Sequence, residues 1–560
     1  MSSVRKMDIE KKADLGVPAG KVDIETVCDL DDAEIFLQEN NFSHRQVAEL
    51  LADEALNKRL MRKVDWTILP PLAITYMLQY IDKQALSYAA VFDLFTDTGI
   101  NQDQYAFLPS LFYIAYLVAE YPWTFLAQRT RMAKVLGSVI VAWGVVLMCT
   151  AAGSNFGSLA ACRFLLGAFE APITPCFMMI IAMCREQQPF RAGVFYSCNG
   201  LGSMIGGILF YAVGQIKTIP VWKAIFLLCG GVTILWGVVV LVLLPDDILS
   251  AKRFSLREKA TLVGRGKLGR TGILSHNVKF GQIKEALLDP QVWLLTLFTL
   301  LNEVINGGIA NFGKLIVKGV VKDPLLTTAL GIPQGAFQVI FILSGTYLPT
   351  RFRHARTVVM ALYLAPTIIG TSLMWQLDRT TDQGRIGVLF AYYIVGSFVA
   401  SLVIAMQMPS ANLGGYTKRM TGTAVVFLAY CVGNIAGPHA FLEAEAPIYP
   451  TGCRVILACA VAQIAIAGAL RWLLKRRNGK RDAAAGAAGV GGAGAVGSVD
   501  TAAVEEVTAD LTDFEVRKEK RFDTSVTADT LLTGGSLFSR IRSSATSIRP
   551  GVLHGGITES

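Results

Sequence analysis

ILPPLAITYMLQYIDKQALSYAAVF, residues Ile68–Phe92, is 25 residues long, mostly apolar, and carries Asp82 and Lys83 a little past its middle. A helix needs roughly 20 apolar residues to cross a hydrocarbon core, so this stretch can span one with some tilt. Wound as a helix, it lines up Tyr76, Gln79, Tyr80, Lys83 and Ser87 along one face at three- and four-residue spacings. An ionisable group near the bilayer centre costs several kcal/mol unless it meets a wet cavity or a partner. A polar stripe around a lysine therefore predicts a hydrated interior side.

Composition agrees with that reading. The 560 residues are 52% hydrophobic and only 17% charged, with mean hydropathy +0.45. Soluble domains carry about a quarter charged residues, so the balance points to a membrane protein. The net charge of +9 sits mostly in loops between apolar runs, which fits a lipid bilayer better than a nucleic acid. The ten cysteines are scattered without a CxxC pair, the pattern of buried free thiols. No HExxH, GxSxG or GxxxxGK[ST] occurs, and the five histidines lack metal-like spacing. Neither an enzyme, a metal nor a cofactor is expected, and active pumping would have to draw on an ion gradient. The first 60 residues are polar and mixed in charge, so targeting is assigned to the first span rather than to a signal peptide.

Twelve apolar runs are expected near 67–92, 104–127, 134–152, 157–182, 190–213, 221–244, 290–316, 325–349, 357–377, 386–408, 420–441 and 452–474. They divide the chain into a cytosolic tail (1–65), a six-helix bundle (66–245), a central cytosolic loop (246–289), a second six-helix bundle (290–475) and a disordered tail (476–560). In the first tail a helix is expected from Ser43, with Gln46 completing a capping box. Its apolar side, Val47, Leu50, Leu51, Ala55 and Leu60, followed by Arg59, Arg62 and Lys63, predicts a lead-in lying on the cytosolic leaflet. The four short loops on the amino-terminal side hold ten basic residues: Arg129, Arg131, Lys134, Arg185, Arg191, Arg351, Arg353, Arg356, Lys418 and Arg419. The six opposite loops hold seven, so both tails are placed in the cytosol. The sequon Asn41-Phe42-Ser43 then lies on the side where it is not used. LAQRTRMAKVLG (126–137) aligns without gaps with LPTRFRHARTVV (348–359). Both follow the second span of their half, as expected of parallel repeats in a secondary transporter.

Seven charged residues fall within apolar runs: Asp82, Lys83, Glu120, Arg163, Glu170, Glu303 and Lys314. Arg163, Gly167, Glu170 and Thr174 share a helical face, as do Glu303, Asn306, Ala310 and Lys314. Tyr196, Asn199 and Ser203 line up beside the Gly202-xxx-Gly206 spacing, which allows close helix contact. Lys83 is assigned to an anionic ligand, with Tyr76, Tyr80, Asn199, Asn306, Tyr430 and Asn434 shaping the pocket. Glu170 or Glu303 is assigned to carry a proton, with Arg163 and Asp82 beside them. Glu120, Arg129, Arg131, Arg351 and Arg353 are assigned to gating. The competing reading is that these charges are ion pairs holding helices together.

Several longer stretches resemble one family. They are RKVDWTILPPLAITYMLQYIDKQALSYAAV (62–91), FYIAYLVAEYPWTFLAQR (112–129), RFLLGAFEAPITP (163–175), NLGGYTKR (412–419) and YCVGNIAGPHAF (430–441). Together they resemble the major facilitator superfamily, and within its anion:cation symporters the fungal allantoate permease family. DLTDFEVRKEKRF (510–522) resembles a short motif of that family's cytosolic tail. The resemblance covers about residues 45–475. It implies twelve helices and proton-coupled uptake of small organic anions such as allantoate, ureidosuccinate, some dipeptides or sulfur compounds. It also implies Lys83 as the anion-facing cation of the first helix, and Arg163 and Glu170 at charged positions of the fourth. The superfamily's GxxxDRxGRR loop is degenerate, with Thr130-Arg131 where Asp-Arg would stand. The expectation is thus a monomer in the plasma membrane, with a small anion, protons and lipid as partners. The alternatives are transport of a vitamin or sulfur compound, a non-transporting nutrient receptor and a membrane-embedded enzyme.

Overall fold

The computed structural model describes Phe36, Leu37, Asn40, Phe42 and residues 44–176, 188–244, 253–268, 279–352 and 355–487. Among these residues it contains helices and turns but no strand. Ser43, Arg185, Arg353, the sequon asparagine and the 510–522 motif lie outside them. In chain order the helices are α1 (His44–Ala52), α2 (Glu54–Val91), α3 (Leu94–Thr98), α4 (Gln102–Arg129), α5 (Met132–Thr150), α6 (Phe156–Glu170), α7 (Gln188–Val213), α8 (Val221–Leu243), α9 (Leu256–Leu268) and α10 (Phe280–Leu288). The second half adds α11 (Pro290–Val321), α12 (Pro324–Ala329), α13 (Gly331–Arg351), α14 (Arg356–Leu362), α15 (Leu364–Gln376), α16 (Asp382–Val395), α17 (Phe398–Asn412), α18 (Tyr416–Ala436) and α19 (Pro450–Ala487).

Among the described residues, nine helical segments are long and apolar enough to cross a bilayer. Three more helices, α2, α4 and α7, run for 38, 28 and 26 residues. In α2 and α7 polar side chains such as Gln79, Lys83 and Asn199 line the central cavity, and in α4 Gln102, Asp103, Gln104, Glu120 and Arg129 lower the hydropathy. Side chains such as Val242, Leu235 and Ile340 are more than half exposed, the expected face toward lipid, where helices satisfy their own backbone groups. Local chemistry sets several helix starts. Asn101 and Gln104 cap α4 reciprocally at 2.8 and 3.2 Å, and Asp289 accepts the Gln291 N–H at 2.9 Å ahead of Pro290 at the start of α11.

Glycine sets the closest approaches. A Cβ on Gly200 would lie 2.7 Å from the Gly335 carbonyl oxygen, and one on Gly335 2.5 Å from that of Gly200. So α7 of the first half and α13 of the second touch backbone to backbone. The Gly202 spacing noted in the sequence packs α7 on α2, its Cβ position 3.0 Å from the Met77 carbonyl oxygen. The repeated basic segments both sit at turns: α4 ends at Arg129 before α5, and α13 ends at Arg351 before α14.

Two findings concern the parts of the chain outside the bundles. Residues 1–60 and 252–274 group as one compact unit, distinct from residues 61–251 and 275–560. Within the small unit, Val47 and Leu51 of α1 are buried with Leu37 against Ala260 of α9, and Gly264 of α9 faces Val47. Part of the apolar side of α1 therefore packs on α9. The reason is that the central loop supplies its own apolar helix face, which periodicity in α1 alone cannot reveal. At the other end of the chain, α19 continues past Lys475 to Ala487, because alanine in the low-complexity stretch favours helix.

A charged clamp ties α10, α11, α18 and α19. Lys418 Nζ, fully buried, lies 2.8 Å from Glu285 Oε1 and 3.1 Å from Asp289 Oδ2, and Arg477 Nη2 lies 2.7 Å from Asp289 Oδ1. Burial pushes the Asp289 carboxyl up. The Arg477 hydrogen bond and charge, the Gln291 N–H and the Lys418 charge outweigh it and hold the group below the usual aspartate value.

Candidate functional site

Between the two halves lies a cavity of about 110 Å³. A water needs about 10–15 Å³ by this measure, so the space holds several waters or one small solute. Every residue assigned to ligand binding from sequence lines it: Lys83, Tyr76 and Tyr80 from α2, Asn199 from α7, Asn306 from α11, and Tyr430 and Asn434 from α18. The helical spacing that put Lys83 on a polar stripe is why it arrives here. The cavity wall also contains carboxamides the sequence reading did not assign to it, namely Gln84, Asn311 and Gln338, together with Phe112, Tyr113 and Tyr196. Gln334 and Gln338, four apart in an otherwise apolar run, were the available signal for the α13 wall. Tyr80 and Gln338 join the halves at 3.2–3.3 Å.

The charged residues separate into four environments. Lys83 Nζ lies 3.0 Å from Glu170 Oε1; the lysine side chain is 27% exposed and the glutamate side chain is 0% exposed. The contact is close, the Gln79 side-chain amide lies beside the same carboxylate, and the Arg163 charge also acts on it. The Lys83 ammonium also faces the rings of Phe112 and Tyr116 at 5.5 and 5.9 Å. Arg163 lines the cavity and packs its guanidinium over Phe226 at 5.5 Å. Asp82, although next to Lys83 in sequence, points the other way, because adjacent helical positions diverge by about 100°. It is 1% exposed and its Oδ2 accepts from Thr233 Oγ1 of α8 at 3.0 Å.

The third environment is built around Glu303. Its Oε2 accepts from Asn434 Nδ2 at 2.6 Å and Asn306 Nδ2 at 3.0 Å, and the two amides bond to each other at 3.0 Å. Glu303 is buried behind the two asparagines, which face the cavity. Lys314, on the same face of α11 in sequence, belongs elsewhere: its Nζ donates to Gln334 Oε1 at 2.7 Å and lies 4.8 Å from the Tyr88 ring.

The gating residues are not brought together. Arg129, Arg131 and Arg351 are exposed, Arg129 stacks on Phe125 at 4.2 Å, and among the described residues none of the three is in an ion pair. Glu120 is partly buried on α4. The halves are instead joined at the opposite end. Gln102 Nε2 donates to the Phe441 carbonyl at 3.3 Å, Tyr449 Oη to Gln102 Oε1 at 3.2 Å, and Tyr105 Oη to the Asn311 carbonyl at 3.0 Å. Phe312 stacks on Phe441 with centroids 4.9 Å apart. Gln102 comes from the tip of α4 and Phe441 and Tyr449 from the connection between α18 and α19, where sequence periodicity carries no signal, whereas Asn311 and Phe312 lie within α11.

Residues 72–438 match the family model described as Major Facilitator Superfamily. An uncharacterised transporter of Schizosaccharomyces pombe is 36% identical over 444 residues, covering 78% of this chain and 84% of the relative. The allantoate permease of Saccharomyces cerevisiae is 31% identical over 446 residues, covering 76% of this chain and 81% of the permease. Among solved structures, a bacterial homolog of the human lysosomal transporter Spinster superposes with a TM-score of 0.52 at 15% identity, covering 73% of this chain and 96% of that one.

Proposed function

Starting from the fact that this chain belongs to the major facilitator superfamily, in its fungal allantoate permease-like family, we propose that it imports a small organic anion together with protons. Its two halves, with α2, α4 and α7 counted among twelve crossings, would expose the central cavity to either side in turn. Transport across a membrane, rather than an enzyme's chemistry, is what the family and fold carry.

One observation supports the coupling more than any other: the cavity-facing Lys83 ammonium stands 3.0 Å from a fully buried Glu170 carboxylate. A substrate carboxylate competes with Glu170 for that ammonium. Once Lys83 turns to the substrate, Glu170 is a buried anion left with the Gln79 amide and the Arg163 charge but without its ion-pair partner, which costs several kcal/mol. Taking a proton removes that cost, so anion binding and protonation support each other. Glu303 suits this role less well, because two asparagine amides already hold its Oε2. Asn199, Asn306, Asn434, Tyr76, Tyr80 and Tyr430 can donate to or accept from the uncharged part of the solute. Arg163 adds a second cation to the wall, and Asp82 balances charge behind it. With the end that bears Gln102 and Tyr449 closed, access would be from the cytosolic side, where Glu120, Arg129, Arg131 and Arg351 would close the path in the other state.

Uptake of radiolabelled allantoate by a transporter-deficient fungal host tests this reading, alongside growth on single ureide, dipeptide, sulfur and vitamin sources. Saturable accumulation that stops with a protonophore is the expected result, with the protein at the plasma membrane as a monomer. Binding without accumulation would make the chain a receptor, and growth only on a sulfur source or vitamin would change the substrate class.

A further inference from the structure

We propose that the outer end of the protein carries a second anion site, a pit in which Lys318 and Lys322 receive a carboxylate before it passes the closed layer beneath. The proposal rests on the reading of the chain as an anion importer. The pit has a volume of about 390 Å³, and its lining includes Lys318, Lys322, Phe95, Gln102, Pro447 and Tyr449. Its floor is the closed layer itself, since Gln102 and Tyr449 are bonded to each other across the halves at 3.2 Å. Whatever leaves the pit inward must part these two residues.

Position along α11 links the pit to the cavity. Asn311 lines the cavity, Leu315 and Lys318 line the pit, and Lys314 lies between them. Lys314, Lys318 and Lys322 recur every four residues, about 6 Å of rise per step on one side of the helix. Lysines in the last turn of a helix also complement its dipole, and that accounts for Lys318 and Lys322. It does not account for Lys314, two turns further in and 3% exposed. Lys314 has no carboxylate at ion-pair distance among the described residues. Neutral groups hold it: Gln334 Oε1 at 2.7 Å and the faces of Tyr88 and Tyr392 at 4.8 and 5.6 Å. Such a cation is expensive to keep and is available to an anion in transit.

Lys322 caps α11 in a left-handed conformation, φ 63°, with its N–H on the Lys318 carbonyl at 2.8 Å. Glycine or asparagine would take that position more cheaply, so the lysine side chain gives the position a use beyond the cap. Opposing charge is near as well, including Asp323 next to Lys322 and Asp97 close to Phe95 in sequence. Asp93 faces Lys318, and Glu443 Oε2 accepts the Gln102 N–H at 3.4 Å. Behind the wall residue Pro447, Arg379 Nη1 donates to its carbonyl at 2.9 Å and adds a positive charge.

The test labels Lys318→Cys in the full-length chain with an anionic sulfonatoethyl and a cationic trimethylammonium-ethyl methanethiosulfonate at low salt, after subtracting the labelling of the parent chain. A unit charge about 6 Å away in water changes each rate about threefold, in opposite directions. The anion-to-cation ratio should therefore exceed that of a free thiol, and Lys322→Gln should lower it by up to about tenfold. A ratio equal to that of a free thiol and indifferent to Lys322→Gln overturns the site. If Lys318→Cys does not fold, Lys322→Cys with Lys318→Gln gives the same readout. In uptake, Lys318→Gln and Lys322→Gln should each raise KM for allantoate several-fold, keep the maximal rate, and flatten the salt dependence. Unchanged KM and salt dependence with lowered thermal stability would leave these lysines as helix caps only. If no ureide, dipeptide, sulfur compound or vitamin is carried, the importer reading fails, yet the labelling ratio still decides the pit.

Discussion

Lys83→Ala should destabilise the protein more than the paired change Lys83→Ala with Glu170→Gln. Glu170 is fully buried, and Lys83 is its ion-pair partner at 3.0 Å, so removing the ammonium strands a carboxylate, at about 3–5 kcal/mol. Glu170→Gln alone leaves a lysine that reaches the cavity and is 27% exposed, a smaller cost of about 1–2 kcal/mol. The double variant buries neither charge alone, so its loss should fall below the sum of the single losses by about 2 kcal/mol or more. For roughly 400 cooperatively melting residues, 1 kcal/mol corresponds to about 1 °C in Tm. Lys83→Ala is then expected to melt about 4 °C below wild type and the double variant about 2 °C below, read by fluorescence-detected gel filtration after heating in detergent. Lys83→Ala melting with wild type, or additive single losses, would refute a buried pair that depends on both partners.

Further outcomes follow from other parts of the fold. Lys418→Ala removes one of two cations on Asp289, while Arg477 remains at 2.7 Å; a loss of about 3 kcal/mol is expected in thermal melts. Because Asp289 is held below its ordinary value in the folded protein, the clamp's contribution is present above about pH 4 and lost as pH falls through the lowered value. Wild-type melting should thus not lose this contribution from pH 7 to 5, and a clamp lost above pH 5 would contradict the assignment. Gly335→Val places side-chain atoms where the Gly200 carbonyl lies 2.5 Å from the Cβ position; about 1–3 kcal/mol of destabilisation and slower uptake are expected. Thr233→Val deprives buried Asp82 of its 3.0 Å donor and should cost about 1–3 kcal/mol in the same melts.

The sequence made the helices and the polar stripe of α2 readable because both are one-dimensional periodicities. Lys83, Tyr76 and Tyr80 could be placed on the cavity face from spacing alone, and Glu170 stood out as a charge within an apolar run, a position the family resemblance also marks. Asp82 shows the limit: its neighbour in sequence lines the cavity, while it faces Thr233 of α8. Which of Glu170 and Glu303 meets a cation was likewise unreadable, since the answer depends on which helices pack together. The contacts of α1 with α9, of Lys418 with Asp289, and of Gln102 with Phe441 and Tyr449 join segments more than 100 residues apart. No local pattern encodes those partners.

Purified protein in proteoliposomes, with an imposed proton gradient and labelled allantoate outside, tests the role of Lys83 most directly. Wild type should accumulate the solute above its external concentration only while the gradient lasts, and Lys83→Ala should lose that accumulation. Gradient-driven accumulation by Lys83→Ala at the wild-type rate would contradict the assignment of this lysine as the group that meets the anion.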